Sequence, residues 1–95
     1  MSQENRPGGA YTIQSSNATA VLDSSALTMG SIIIRSAPTN SIVYWGFGSP
    51  LVTADQRGFV LPGEWIVIGG PIAPNAVYVS GTAANVIYWS GDPVS

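Results

Sequence analysis

Four short runs limit what this chain can fold into: "SIIIR" (31–35), "IVYW" (42–45), "WIVI" (65–68) and "VIYW" (86–89). Each is rich in β-branched and aromatic residues and too short for a buried helix, so each reads as a strand. No window carries sustained apolar spacing at i, i+3, i+4, i+7, which disfavours helix throughout. Weaker strand patterns fill the gaps: "AYTIQSS" (10–16), "ATAVLDSS" (18–25), "LVT" (51–53), "FVL" (59–61) and "AVYVS" (76–80). Turn signals separate them at "APTN" (37–40), "ADQRG" (54–58), the Pro62-Gly63 pair and "GTAA" (81–84), with "PIAPN" (71–75) as a connector. The spacing predicts a hairpin from 31–36 with 42–46, a strand–turn–strand unit over 59–70, and a second hairpin over 76–91. About seven or eight short strands, with turns every 8–12 residues or so, predict an all-β fold. The expected form is a small β-sandwich or barrel, jelly-roll-like, with an extended N-terminal arm. The polar residues 1–10, with Pro7-Gly8-Gly9, are the expected arm, and 11–95 the single β domain.

The runs carry a second message. A half-buried strand alternates apolar with polar residues, but these are apolar on both faces. Ile42 and Tyr44 oppose Val43, Trp45 and Phe47; Trp65 and Val67 oppose Ile66 and Ile68; Val86 and Tyr88 oppose Ile87 and Trp89. A two-sheet sandwich has one interior and buries one face of each strand. The surplus faces need cover, either between subunits or, in a barrel, from the chain's own arms and loops. Left in water they would exceed the apolar patch a monomer usually exposes.

The charge count points the same way. Only 8% of the 95 residues are charged, against roughly 25% in ordinary soluble proteins. The cations are Arg6, Arg35 and Arg57, and the formal net charge is −2. That argues against a nucleic-acid partner, since phosphate binding needs clustered Lys and Arg. The surface is polar through Ser, Thr, Asn and Gly rather than charge, which suits a protein packed against other copies. "MSQENRPGGA" has no apolar run, so no signal peptide is expected. No stretch reaches the roughly 18–20 apolar residues of a membrane helix, and no membrane partner is expected.

Several chemistries lack their residues. The sequence holds no Cys and no His, so disulfides, thiolate metal sites and the commonest general base are excluded. Serine is abundant, but with neither His nor Lys to activate it the usual nucleophile arrangements are unavailable. The carboxylates Asp23, Asp55, Glu64 and Asp92 fall in or beside turns with no spacing that pairs them for acid–base work. No loop gathers the oxygen ligands calcium needs, and the Gly pairs match no phosphate loop. No enzyme activity, cofactor or metal site is expected. The aromatic residues remain as the functional candidates. Tyr11, Trp45, Phe47, Trp65, Tyr78 and Trp89 are the candidate interface residues; they can anchor a protein interface, pack in the core or stack on a sugar.

One phrase recurs in these strands: "NSIVYWG" (40–46), "NAVYVSG" (75–81) and "NVIYWSG" (85–91). The first aligns with the others only after a one-residue slip, which turns its side chains to the opposite face. The phrase reads as a strand recipe, with Asn and Gly as turn punctuation.

Over residues 32–68 the order is a strand ending in Arg35, a turn, "IVYWG", "LVT", a polar turn ending in Gly58, then "LPGEWI". This order resembles small virion proteins of tailed bacteriophages. The matching positions are Tyr44, Gly46, Val52, Thr53, Gly58, Leu61, Pro62, Gly63 and Glu64. The resemblance implies a non-enzymatic structural module: a capsid decoration (cement) protein, a head fibre or a tail accessory. It further implies a place in the virion, contacts with a major capsid or other virion protein, and self-association, with a trimer as the form common in such proteins. A carbohydrate-binding or host-attachment module is the alternative.

Overall fold

The computed structural model describes residues 7–48 and 56–94. Its eight strands are β1 (Gly8–Thr12), β2 (Ala20–Val21), β3 (Met29–Ser36), β4 (Val43–Gly46), β5 (Gln56–Val60), β6 (Trp65–Ile72), β7 (Tyr78–Ser80) and β8 (Val86–Pro93). Among the described residues the single helical element is a 3-10 turn at Pro74–Ala76. The strands form two antiparallel four-stranded sheets, ordered β1-β8-β3-β6 (sheet A) and β2-β7-β4-β5 (sheet B). The expected all-β architecture is present.

The pairing follows one rule. β1 pairs with β8, β2 with β7, β3 with β6 and β4 with β5, so the second half of the chain runs back along the first like one long hairpin. Two further pairings, β3 with β8 and β4 with β7, divide that ribbon into the two sheets.

The core lies between the sheets. Sheet A contributes mainly Ile32, Ile34, Ile68, Ile87 and Trp89; sheet B and its flanks contribute Leu22, Val43, Val60, Val77 and Val79, all nearly inaccessible. Burying each such side chain is worth about 1.5–3 kcal/mol. The flexible Met29 fills the space opposite Gly91, where an added Cβ would stand 2.8 Å from the Met29 sulfur.

The two expected hairpins are corrected by this order, and the strand–turn–strand unit over 59–70 is divided between the sheets as well. Strands β3 and β4, β5 and β6, and β7 and β8 are consecutive, yet each pair is split between the sheets. The turns at these three junctions are where the sequence puts them. Asn40 N donates to Ala37 O (3.0 Å), Glu64 N to Leu61 O (3.0 Å) and Asn85 N to Thr82 O (3.0 Å), each closing a four-residue turn. Gly63, at φ +77°, occupies the third position after Pro62, as a type II turn requires. Beyond each turn the chain crosses to the other sheet instead of folding back onto its own. After β3 the partners are distant in sequence: the end of the strand bonds the Leu61–Glu64 turn that leads into β6, with Ser36 N donating to Glu64 O (2.9 Å) and Gly63 N to Ser36 O (3.2 Å).

Two boundaries also differ. Gly8, Gly9 and Ala10, expected in the extended arm, begin β1 and pair with Ser90, Trp89 and Tyr88, and Pro7 O accepts from Gly91 N (3.0 Å); residues 1–6 lie outside the described residues. Gln56–Gly58, expected in a turn, begin β5, with a bulge opposite Trp45 and Gly46. The "LVT" strand (51–53) falls outside the described residues.

Candidate contact surface

Register aligns the outward side chains of sheet A into rows across the strands. One row runs Ala10, Tyr88, Arg35, Trp65, and the next runs Gly8, Ser90, Ile33, Val67. Alternation turns this set to solvent because the intervening residues Ile32, Ile34, Ile68 and Ile87 are buried. Trp65 is 59% exposed, Val67 54% and Tyr88 46%, so three large apolar side chains share this face with the half-buried Ile33. β6 is the outer strand of the sheet and carries two of them.

Sheet B has an apolar outer patch too. Tyr44 lies directly across from Phe59, with the rings edge-to-face at 6.5 Å and 62°, and both are exposed. Beyond the end of β4, Phe47 meets the Trp45 ring edge-on at 5.6 Å, and the Arg57 guanidinium lies 5.9 Å from the Phe47 ring centre. Trp45 itself lies over Gly58; a Cβ there would stand 2.8 Å from its Nε1.

The six sequence candidates therefore separate. Trp65 and Phe47 are exposed. Tyr11, Trp45 and Tyr78 are half-buried, with Tyr11 and Trp45 packed against the core. Trp89 is a core residue, 6% exposed, and its indole N–H has no hydrogen-bond partner. The outward residues Tyr44, Phe59, Val67 and Tyr88 were absent from that set. Tyr44, Val67 and Tyr88 carried a signal in the opposed faces of their strands, but alternation alone does not say which face is outward.

A hollow of about 270 Å³ interrupts the face of sheet A, lined by Gly9, Ile33, Arg35, Tyr88, Trp89 and Ser90. It reaches the edge strand β1 at Gly9. Gly8 packs close, since a Cβ there would stand 2.8 Å from the Trp89 carbonyl oxygen.

The carboxylates sit where turn chemistry puts them. Asp23 Oδ1 accepts from Ser25 N (2.9 Å), a local turn bond. Glu64 closes the Leu61–Glu64 turn, Asp92 lies on the solvent side of β8 opposite Ser31, and Asp55 is outside the described residues. Among the described residues no group of three or more His, Cys, Asp or Glu could hold a metal ion. Among the described residues no helix is long and apolar enough to cross a membrane. Comparison with family models, curated proteins and solved structures found no match.

Proposed function

We propose that this chain is a non-enzymatic assembly module that works by covering its outer sheet faces with other protein, first with copies of itself. The observation that carries this is the presence of apolar outer patches on both sheets of a chain whose inner faces already fill the core. Trp65, Val67 and Tyr88 on one side, and Tyr44 and Phe59 on the other, are the aromatic and aliphatic anchors from which interfaces draw most of their energy. Low surface charge adds to this, because charged residues are depleted at interface centres.

The strand order supports a finer reading of the fold. A β1-β8-β3-β6 sheet against a β2-β7-β4-β5 sheet is the arrangement produced by rolling up a long hairpin, and we read it as a jelly roll of two Greek keys. With the bacteriophage-like order of residues 32–68, this makes a virion structural protein, a capsid decoration or related accessory, the best specific reading. The positions of that resemblance that are described act as turn and packing residues: Gly63 provides the positive φ and Gly58 the bed for Trp45.

A second reading has one observation in its favour. Among the described residues Trp65 is the most exposed of the large apolar side chains, as a sugar-stacking platform in a host-attachment module requires.

Sedimentation velocity separates the two. For assembly, the mass should rise above one subunit between low and high micromolar concentration, and Trp65→Ser with Val67→Thr should return it to a monomer with unchanged circular dichroism. A chain that stays monomeric at high micromolar concentration and binds glycans through Trp65 would support attachment instead.

A further inference from the structure

We infer that the hollow beside Arg35 receives a carboxylate side chain of the protein that covers sheet A. This rests on the reading of that face as a contact surface and names the chemistry its partner must bring. Arg35 occupies an interior strand of the sheet, directly between Tyr88 on β8 and Trp65 on β6. It is the cation at the centre of an otherwise apolar row. Among the described residues, no hydrogen bond or ion pair engages its guanidinium.

Covering such a face with a purely apolar surface would strand a charge in a dry contact, which is strongly unfavourable. An incoming carboxylate resolves this, because the planar guanidinium offers two parallel N–H donors that match its two oxygens. The aromatic rings on either side displace water and strengthen the attraction.

The hollow gives that group a seat. Its roughly 270 Å³ opens between Arg35, Tyr88 and Ser90 over the bare glycine edge of β1. It is a shallow depression open to solvent, with room for an acidic side chain of the covering protein. The Ser90 hydroxyl, half-buried on the same face, supplies a further donor. The complementary surface is therefore an Asp or Glu set among apolar residues, with its charge offered to Arg35 and its surroundings to Trp65, Val67 and Tyr88.

The test uses the whole chain, isotopically labelled, in an NMR titration with N-acetyl-L-glutamate α-amide as the side-chain probe. N-acetyl-L-glutamine α-amide and D-glucuronate are the comparison ligands. The expected result is saturable shifts of Arg35 Nε–H and Ser90, with a dissociation constant on the order of millimolar. Binding should weaken at least about tenfold for the glutamine probe, be lost in Arg35→Leu and be kept in Arg57→Leu. Equal response to the two amino-acid probes, survival of binding in Arg35→Leu, or no saturable shift would overturn the inference. Tighter binding of glucuronate than of the glutamate probe would also overturn it and assign the hollow to an acidic sugar. Because the probe binds the isolated chain, a filled hollow in a chain that never associates would separate failure of the assembly reading from failure of this one.

Discussion

Three asparagines open the recurrent phrase, and the fold gives each a different task. Asn40 is buried and bonds three ways: its Nδ2 donates to Ser36 Oγ and Val86 O (2.7 Å each), and its Oδ1 accepts from Val86 N (2.9 Å). It ties the end of β3 to the start of β8 from within the turn that leads to sheet B. Asn85, also buried, accepts from Thr82 N at 3.3 Å and holds its own turn. Asn75 is exposed, and its backbone N–H donates to Ser25 O (3.0 Å). Asn40→Ala should therefore lower unfolding free energy by about 2–4 kcal/mol, because it removes three hydrogen bonds of a buried side chain, each worth about 0.5–1.5 kcal/mol, and takes the Asn40 acceptor from Val86 N. Asn75→Ala should stay within about 0.5 kcal/mol of wild type. Urea denaturation measures both, and equal effects would remove the special role of Asn40. The sequence identified these residues as turn formers. It did not distinguish the one that reaches 46 positions along the chain, because a side-chain bond at that range leaves no local pattern.

At the scale of elements, the turns were legible and the pairings were not. Pro, Gly and Asn mark where the chain bends, and three of the four expected turns carry a closing hydrogen bond; the fourth, "ADQRG", runs into β5 instead. Whether the next strand then bonds to the last one or crosses to face it depends on partners elsewhere in the chain. For β4, a strand apolar on both faces gives no help, since either sheet accommodates it. The same pattern did separate the opposed sets correctly: Val43 against Tyr44, Ile66 and Ile68 against Trp65 and Val67, Ile87 against Tyr88. Two turns invite mirror-image tests. Gly63 and Ala84 both have positive φ, +77° and +76°, where a Cβ costs about 1–2 kcal/mol. An added Cβ at Gly63 would touch only Pro38 Cα, at 3.8 Å, so Gly63→Ala tests the backbone alone. It should destabilise by about 1 kcal/mol, and Ala84→Gly should stabilise by about 0.5–1 kcal/mol, allowing for glycine's freer unfolded state. Thermal unfolding reads both signs. A stabilising Gly63→Ala would contradict the type II turn.

At the scale of the molecule, the apolar surplus read from the sequence has a location: Trp65, Val67 and Tyr88 on one outer face and Tyr44 and Phe59 on the other. The candidate site was thus half visible in the residues. Trp65 and Phe47 were found by residue type, whereas Trp89, equally aromatic, fills the core because Ile34, its neighbour on β3, faces inward with it. The charge that organises the face, Arg35, was legible only as the end of a strand. Its place between Tyr88 and Trp65 comes from pairings with strands some 30 and 53 positions away in sequence, which no local reading supplies. The central claim is that these outer faces are contact surfaces. Hydroxyl-radical footprinting tests it most directly, following Trp65, Tyr88, Tyr44 and Phe59 by mass spectrometry as concentration rises and sedimentation reports the mass. The account expects Trp65 and Tyr88, or Tyr44 and Phe59, to lose most of their reactivity as the mass increases, while the exposed turn residue Pro38 keeps its own. Association with all four rings still as reactive as in the monomer would contradict it.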